Sequence, residues 1–134
     1  MQAVIDFLNA NPSGFMATLE GDQPRVRPFL FLKAEDGRFY WGTGQGKPVS
    51  EQLKANPHVE FSSSNAEPVW VRIAGKVEFC SDPAIRQRIF DSCPPYVQAI
   101  YQGADNPVFE VIYLEHGQAS LADFSGQPSQ AFEF

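Results

Sequence analysis

Two arginines and two phenylalanines alternate along one extended stretch, residues 24–32. Strand periodicity would place four side chains on one face: Arg25, Arg27, Phe29 and Phe31. Such a face suits a ligand with an anionic end and a planar apolar end, because the planar fork of arginine donates two parallel hydrogen bonds to a phosphate. The alternative is a solvated strand edge that carries two arginines, and this stretch alone leaves both interpretations open.

A glycine-rich loop, Gly42-Thr43-Gly44-Gln45-Gly46-Lys47-Pro48, leaves a predicted strand and enters a predicted helix. Backbone N–H groups at a helix start favour an anion, and Lys47 adds a point charge there. The spacing from Gly42 to Gly46 is one residue short of a nucleotide-binding P-loop, and Pro48 stands where that motif needs a hydroxyl side chain. A plain flexible connector is the alternative. A tight turn joins the two strands concerned, so Arg25, Arg27 and Lys47 could converge on one phosphate.

Trp70 begins a third candidate stretch, in which Trp70, Arg72 and Ala74 share a strand face. The indole could cover a planar ligand or fill the core. The sequence contains no Ser-His-Asp arrangement, zinc pattern or paired-carboxylate motif, and Cys80 and Cys93 lack metal or redox spacing. Any redox chemistry would therefore be carried by a cofactor.

The net charge of −6 comes without a basic cluster, which argues against nucleic acid as a partner. No apolar stretch approaches the roughly 20 residues that span a membrane. The N-terminus lacks the basic and apolar regions of a signal peptide. We therefore expect a cytoplasmic protein without a membrane partner.

The order of the predicted elements favours a mainly β protein: an antiparallel barrel of six to seven strands with three to four short helices. The length fits a single domain, residues 1–134. Helices are predicted over 2–10, 47–55, 82–92 and a short stretch ending near 103. Strands are predicted over 15–20, 25–33, 38–42, 58–62, 69–80 and 108–124, with a terminal strand after the turn at 126–128.

Several segments together resemble the pyridoxamine 5′-phosphate oxidase-like superfamily of FMN-binding split β-barrels. They are Asp22–Pro28, Phe39–Thr43, Lys47–Val49, Gln52–Pro57 and Val71–Glu78. The segment Phe109–Leu114 is similar to the short nitroimidazole-resistance (Nim)-like subgroup. The resemblance covers nearly the whole chain, and the order and spacing of its short motifs are fairly specific.

This resemblance implies a split-barrel homodimer with FMN at the subunit interface. Arg27 and Lys47 match the family positions that contact the FMN phosphate, with Arg25 as a helper. The strand that carries Trp41, Gly42 and Thr43 would follow the ribityl chain and the ring. The isoalloxazine would lie beside the segment Pro28-Phe29-Leu30.

The expected function is that of an FMN-dependent oxidoreductase acting on a small nitro or quinone-like acceptor. The alternatives are a non-catalytic flavin-binding or stress-sensing module and a deazaflavin-dependent reductase. Oxidation of pyridoxamine phosphate itself is not expected. The chain ends at Phe134 without the substrate-binding C-terminal region of those oxidases, and Trp70 replaces a family glutamine on the middle strand.

Overall fold

One antiparallel sheet of nine strands forms the body of the protein in the computed structural model, which describes residues 1–134. The strands are β1 Ser13–Glu20, β2 Gln23–Glu35, β3 Arg38–Gly44, β4 His58–Ser64, β5 Trp70–Lys76, β6 Glu78–Phe79, β7 Phe109–Leu114, β8 Gly117–Ala122 and β9 Gln130–Glu133. The helices are α1 Gln2–Ala10, α2 Pro48–Ala55, α3 Pro83–Asp91 and α4 Pro95–Tyr101. Neighbours in the sheet follow the order β6-β7-β3-β2-β1-β4-β5-β8-β9.

The two ends of this sheet lie close together. Val77 alone separates β5 from β6, although β6 is at one end of the sheet and β5 is near the other. Glu115 and His116 likewise separate β7 from β8. Since one residue spans at most about 3.6 Å, such short links require the sheet to curl until its ends are adjacent. The result is a split β-barrel, as predicted from the sequence.

The number of strands is larger than the predicted six to seven, because two predicted strands each divide into two. The run 69–80 breaks at Val77, where the chain stops pairing with β4 and begins to pair with β7. The run 108–124 breaks after Leu114, where the chain leaves β3 and begins to pair with β5. The four helices agree with the prediction of three to four.

Local chemistry explains where several elements begin and turn. The Asp82 carboxylate accepts hydrogen bonds from the N–H groups of Ala84 and Ile85, and Pro83 occupies the first turn of α3. Gly37 has a φ of +77° in the turn between β2 and β3, a conformation that costs glycine little. These local patterns are the ones that sequence alone detects most easily.

Two apolar clusters hold the fold together. The larger one fills the barrel and contains Trp41, Phe61, Leu8 and Leu114, all fully buried. The smaller one lies beneath α3 and α4, where the Phe109 ring packs against Tyr101 at 5.1 Å and against Phe90 at 5.5 Å. This second cluster fixes α4 against the barrel. None of the four helices is long and apolar enough to cross a bilayer.

Candidate functional site

A groove with a volume of about 310 Å³ runs between β2, β3, the start of α2, and α4. It is lined by six of the nine residues that the sequence predicted for a cofactor site: Arg27, Pro28, Phe29, Gly42, Thr43 and Lys47. The pairing of β2 with β3 brings the two sequence motifs together. The groove is therefore the place where the arginine strand and the glycine-rich loop meet.

Lys47 stands at the entry of α2, where it is the N-cap residue with an extended backbone. Its N–H donates to Gly44 O at 3.2 Å, which closes the glycine-rich turn. Its ammonium makes no salt bridge, whereas Lys54 on the same helix pairs with Glu51 and Glu110. Lys47 therefore offers the groove an uncompensated positive charge beside a helix N-terminus.

Arg27 is a partly buried cation without a carboxylate partner. Its Nη1 donates to Met16 O at 3.2 Å and to Thr18 Oγ1 at 2.7 Å, and its Nη2 donates to Gln52 Oε1 at 2.5 Å. Burial, and secondarily the charge of Arg25, lower the pKa of Arg27 from its ordinary value. An anion beside the guanidinium would oppose both effects.

The distribution of ion pairs concentrates unneutralised charge in the groove. Six of the ten lysines and arginines pair with carboxylates: Arg25, Lys33, Arg38, Lys54, Arg72 and Arg88. Arg86 instead donates to three backbone carbonyls. Of the remaining three cations, Arg27 and Lys47 line the groove and Lys76 does not. In a protein of net charge −6, this pair is a local concentration of positive charge.

An apolar wall of the same groove comes from α4, through Tyr96, Val97, Ile100 and Tyr101. Tyr96 is 64% exposed and Ile100 is 67% exposed, so the groove is open on this side. The sequence predicts this helix but assigns it no role. Its position depends on the contact of Tyr101 with Phe109, which no local pattern reveals.

Two glycines of β3 lie so close to neighbouring side chains that a larger residue would crowd them. A Cβ at Gly42 would lie 3.2 Å from Phe109 Cε2 and 3.3 Å from Leu32 Cδ1. A Cβ at Gly44 would lie 2.9 Å from Tyr101 Oη. Both glycines therefore let residues that line the groove, Leu32 and Tyr101, pack directly against the backbone of β3.

Three residues predicted for the site lie outside the groove. Trp41 is fully buried in the barrel core, where its ring packs edge-on against Phe31 at 5.9 Å. The Arg25 guanidinium pairs with Glu20 at 3.1 Å, because the β1–β2 hairpin brings the two side chains together. Trp70 lies on β5 and packs against Phe124, with ring centroids 4.9 Å apart and the ring planes tilted by 51°. Phe31, expected on the same face as the arginines, is also part of the core.

The fold and the groove define a small split-barrel protein whose cleft holds two unpaired cations beside an apolar wall. The profile of the family described as pyridoxamine 5′-phosphate oxidase matches residues 1–121, and the chain belongs to this family. No curated protein matches the sequence.

Solved structures agree with this assignment. A NimC/NimA family protein from Clostridium acetobutylicum is 29% identical, with a TM-score of 0.89 over 100% of this chain and 92% of that chain. The similarity to the Nim-like subgroup is thereby confirmed. A pyridoxamine 5′-phosphate oxidase-related, FMN binding protein from Nostoc punctiforme is 15% identical, with a TM-score of 0.75 over 90% of this chain and 78% of that chain. A heme binding protein from Mycobacterium smegmatis is 16% identical, with a TM-score of 0.78 over 97% of this chain and 56% of that chain.

Proposed function

We propose that this protein is a cytoplasmic flavoprotein that binds FMN in the groove and acts as an oxidoreductase on a small nitro or quinone-like acceptor. The observation that carries the proposal is a single cleft in which two cations without carboxylate partners, Arg27 and Lys47, lie beside an apolar wall. FMN combines a phosphate dianion with a large planar ring, and so needs both features. Family membership supports the same ligand.

The residues present fit such a cofactor. Arg27 retains unused N–H donors, and Lys47 stands at a helix start, so both would hold the phosphate. At Gly42 and Gly44 an added side chain would crowd Leu32 or Tyr101, which line the groove. Tyr96, Val97 and Ile100 would cover the ring and exclude water from it.

FMN supplies hydride or single-electron transfer when it is bound. The chain would anchor the phosphate, orient the ring and limit the access of water. No histidine, carboxylate or cysteine lines the groove, so a proton would come from solvent or from the hydroxyl of Tyr96 or Tyr101.

A second copy of the chain is part of the proposal. Phe15 is 58% exposed and Val26 is 67% exposed, and both lie on the outer face of the β1–β2 hairpin. The register places Phe15 opposite Pro28 and Val26 opposite Ala17, which makes a continuous apolar patch. Because Pro28 also lines the groove, a copy that covered this patch would border the cofactor.

The first experiment identifies the cofactor. The purified protein is mixed with excess FMN and dialysed, its visible spectrum is recorded, and the released ligand is identified by mass. We expect one FMN per chain and weaker binding of riboflavin, which lacks the phosphate. Equal affinity for FMN and riboflavin would contradict the assigned phosphate site. Retention of a deazaflavin in preference to FMN would favour a deazaflavin-dependent reductase.

The second experiment tests catalysis. NADH or NADPH is supplied with a benzoquinone or a nitroaromatic compound, and consumption of the nicotinamide is followed. Turnover that depends on added FMN supports the oxidoreductase. A protein that binds FMN tightly but catalyses no electron transfer would be the non-catalytic flavin-binding module.

Heme is the second cofactor suggested by a relative of the same fold. The groove holds no histidine, cysteine or methionine, and His58 and His116 line a separate depression at the other side of the barrel. Because these side chains are the commonest heme ligands, the groove favours FMN. Addition of heme, followed by its absorption spectrum, provides the comparison.

A further inference from the structure

A chain of buried polar groups runs from Arg27 into the end of the barrel. Thr18 is 2% exposed and Gln52 is 7% exposed, and neither lines the groove. The Thr18 hydroxyl donates to Gln52 Oε1 at 2.6 Å and accepts from Arg27 Nη1 at 2.7 Å. Gln52 Nε2 in turn donates to Glu20 Oε2 at 3.1 Å.

The chemistry of the two ends fixes the orientation of the Gln52 amide. A guanidinium can only donate, so the atom that meets Arg27 at 2.5 Å must be the amide oxygen. The Glu20 carboxylate, whose pKa is lowered by its hydrogen bonds to Arg25 and Gln52, accepts. The amide nitrogen must therefore face Glu20. A flip of the amide would break both contacts.

The hydrogen bonds of Arg27 to Met16, Thr18 and Gln52 occupy only part of its guanidinium group. An arginine has five N–H donors, and Arg27 directs two from Nη1 and one from Nη2 at Met16, Thr18 and Gln52. The Nε–H and the second Nη2–H remain, and they lie side by side on one edge of the planar group. That edge has the geometry of a bidentate anion contact.

We propose that Gln52 and Thr18 are positioning residues that hold one edge of Arg27 with neutral acceptors, so that its charge and its other edge stay available to a phosphate group. This inference rests on the proposed function, since it concerns the same anion. It explains why an amide, and not a carboxylate, contacts the guanidinium: a glutamate at position 52 would neutralise Arg27 before any ligand arrived.

The test separates the effect of a negative charge at position 52 from the effect of losing the hydrogen bonds of Gln52. Gln52→Glu is nearly isosteric, whereas Gln52→Leu removes both hydrogen-bonding atoms. If Gln52 only stabilised the fold, the polar glutamate would be the milder change. We expect the reverse for FMN: Gln52→Glu weakens binding at least tenfold and more than Gln52→Leu, while riboflavin affinity changes less than twofold in both. Thr18→Val should weaken FMN binding severalfold.

Two further variants serve as controls: one for a loss of stability, and one for changing a neighbouring residue of α2. Gln52→Glu could repel Glu20 and destabilise the barrel, so the double variant Gln52→Glu/Glu20→Gln restores a donor–acceptor pair while still placing a carboxylate on Arg27. It should unfold at the temperature of the parent and still bind FMN at least tenfold more weakly. Glu51→Gln changes a neighbouring exposed residue of α2 that does not line the groove, and should leave FMN affinity unchanged.

The outcomes separate this inference from the proposed function. If the parent binds FMN and the double variant binds it equally well, the positioning role is wrong and the function stands. An equal loss of FMN and riboflavin affinity would also overturn the positioning role. If the parent binds no FMN, the proposed function fails. Inorganic phosphate then serves as the probe: a phosphate-induced shift of the Arg27 Nε–H NMR signal in the parent, absent from the double variant, supports the inference, and its absence from the parent overturns it.

Discussion

Gly44 lies directly against Tyr101, a residue of the groove wall, so that a Cβ at position 44 would lie 2.9 Å from Tyr101 Oη. The same Cβ would lie 3.2 Å from Lys47 Cε. Tyr101 is nearly buried, and its ring is held by Phe109, so it has little freedom to retreat. The close approach of α4 to the glycine-rich loop therefore depends on the absence of a methyl group at position 44.

Gly44→Ala should push Tyr101 or Lys47 into the groove and weaken FMN binding severalfold, because one of them must move to admit the methyl group. Isothermal titration measures the affinity. Gly37→Ala is the matched control: it has a φ of +77° and no atom within 4 Å of the added Cβ. It should lower the free energy of unfolding by about 1 kcal/mol and leave FMN affinity unchanged. Parent-like FMN binding by Gly44→Ala would show that the loop tolerates a narrower groove.

Lys47→Ala should weaken FMN binding about tenfold to hundredfold, because one charge-assisted contact to the phosphate contributes roughly 1.5–3 kcal/mol. The difference from the parent should shrink at high salt, since the site is open to solvent. Arg72→Ala is the control, because Arg72 pairs with Glu60 on a different face of the barrel. Loss of FMN binding in Arg72→Ala but not in Lys47→Ala would make the glycine-rich loop a connector only.

Val26→Glu should convert the proposed dimer into a monomer, because it places a charge in the centre of the apolar patch formed with Phe15. Light scattering at micromolar concentration measures the mass. Gln127→Glu, in the exposed turn before β9, serves as the control and should remain a dimer. A parent protein that is monomeric at this concentration would contradict the shared site.

The stability of the protein should fall between about pH 9 and 11. Burial raises the pKa of the Cys93 thiol from 9.0 to about 11, so the folded state favours the neutral thiol. A raised pKa contributes stability that is complete below pH 9 and is lost as the pH rises through the folded value. Urea denaturation from pH 8 to 11 should therefore show a steeper decline for the parent than for Cys93→Ala. Parallel curves would mean that the thiol does not titrate in this range.

The parts of the fold that the sequence predicts are those with local causes. The cap formed by Asp82 and Pro83 starts α3 where expected, and the glycine turns define the first hairpins. The break at Val77 was missed, because the hydrophobic run continues through it and the cause is a change of partner strand from β4 to β7. Strand boundaries of this kind are set by tertiary contacts.

The candidate site likewise has a part that the sequence predicts and a part that depends on tertiary contacts. Residues of β2 and of the glycine-rich loop meet because two hairpin-linked strands pair, which the sequence indicates. Trp41 could not be assigned a side by alternation, since consecutive residues Phe39, Tyr40 and Trp41 are all buried. The contribution of α4 was missed because Phe109, which lies outside the helix, positions it through Tyr101.

The curled sheet has a consequence for how the chain can fold as it is synthesised. β3 pairs with β7, which joins Phe39 to Leu114, and β5 pairs with β8, which joins Trp70 to Ala122. The partner strands β7 and β8 are therefore synthesised late in translation, and until then one edge of β3 and one edge of β5 are unpaired. Such long-range pairing slows folding and exposes unpaired strands to neighbouring chains. A nascent chain stalled before Phe109 would accordingly need a chaperone, whereas one released after Ala122 could close the barrel unaided.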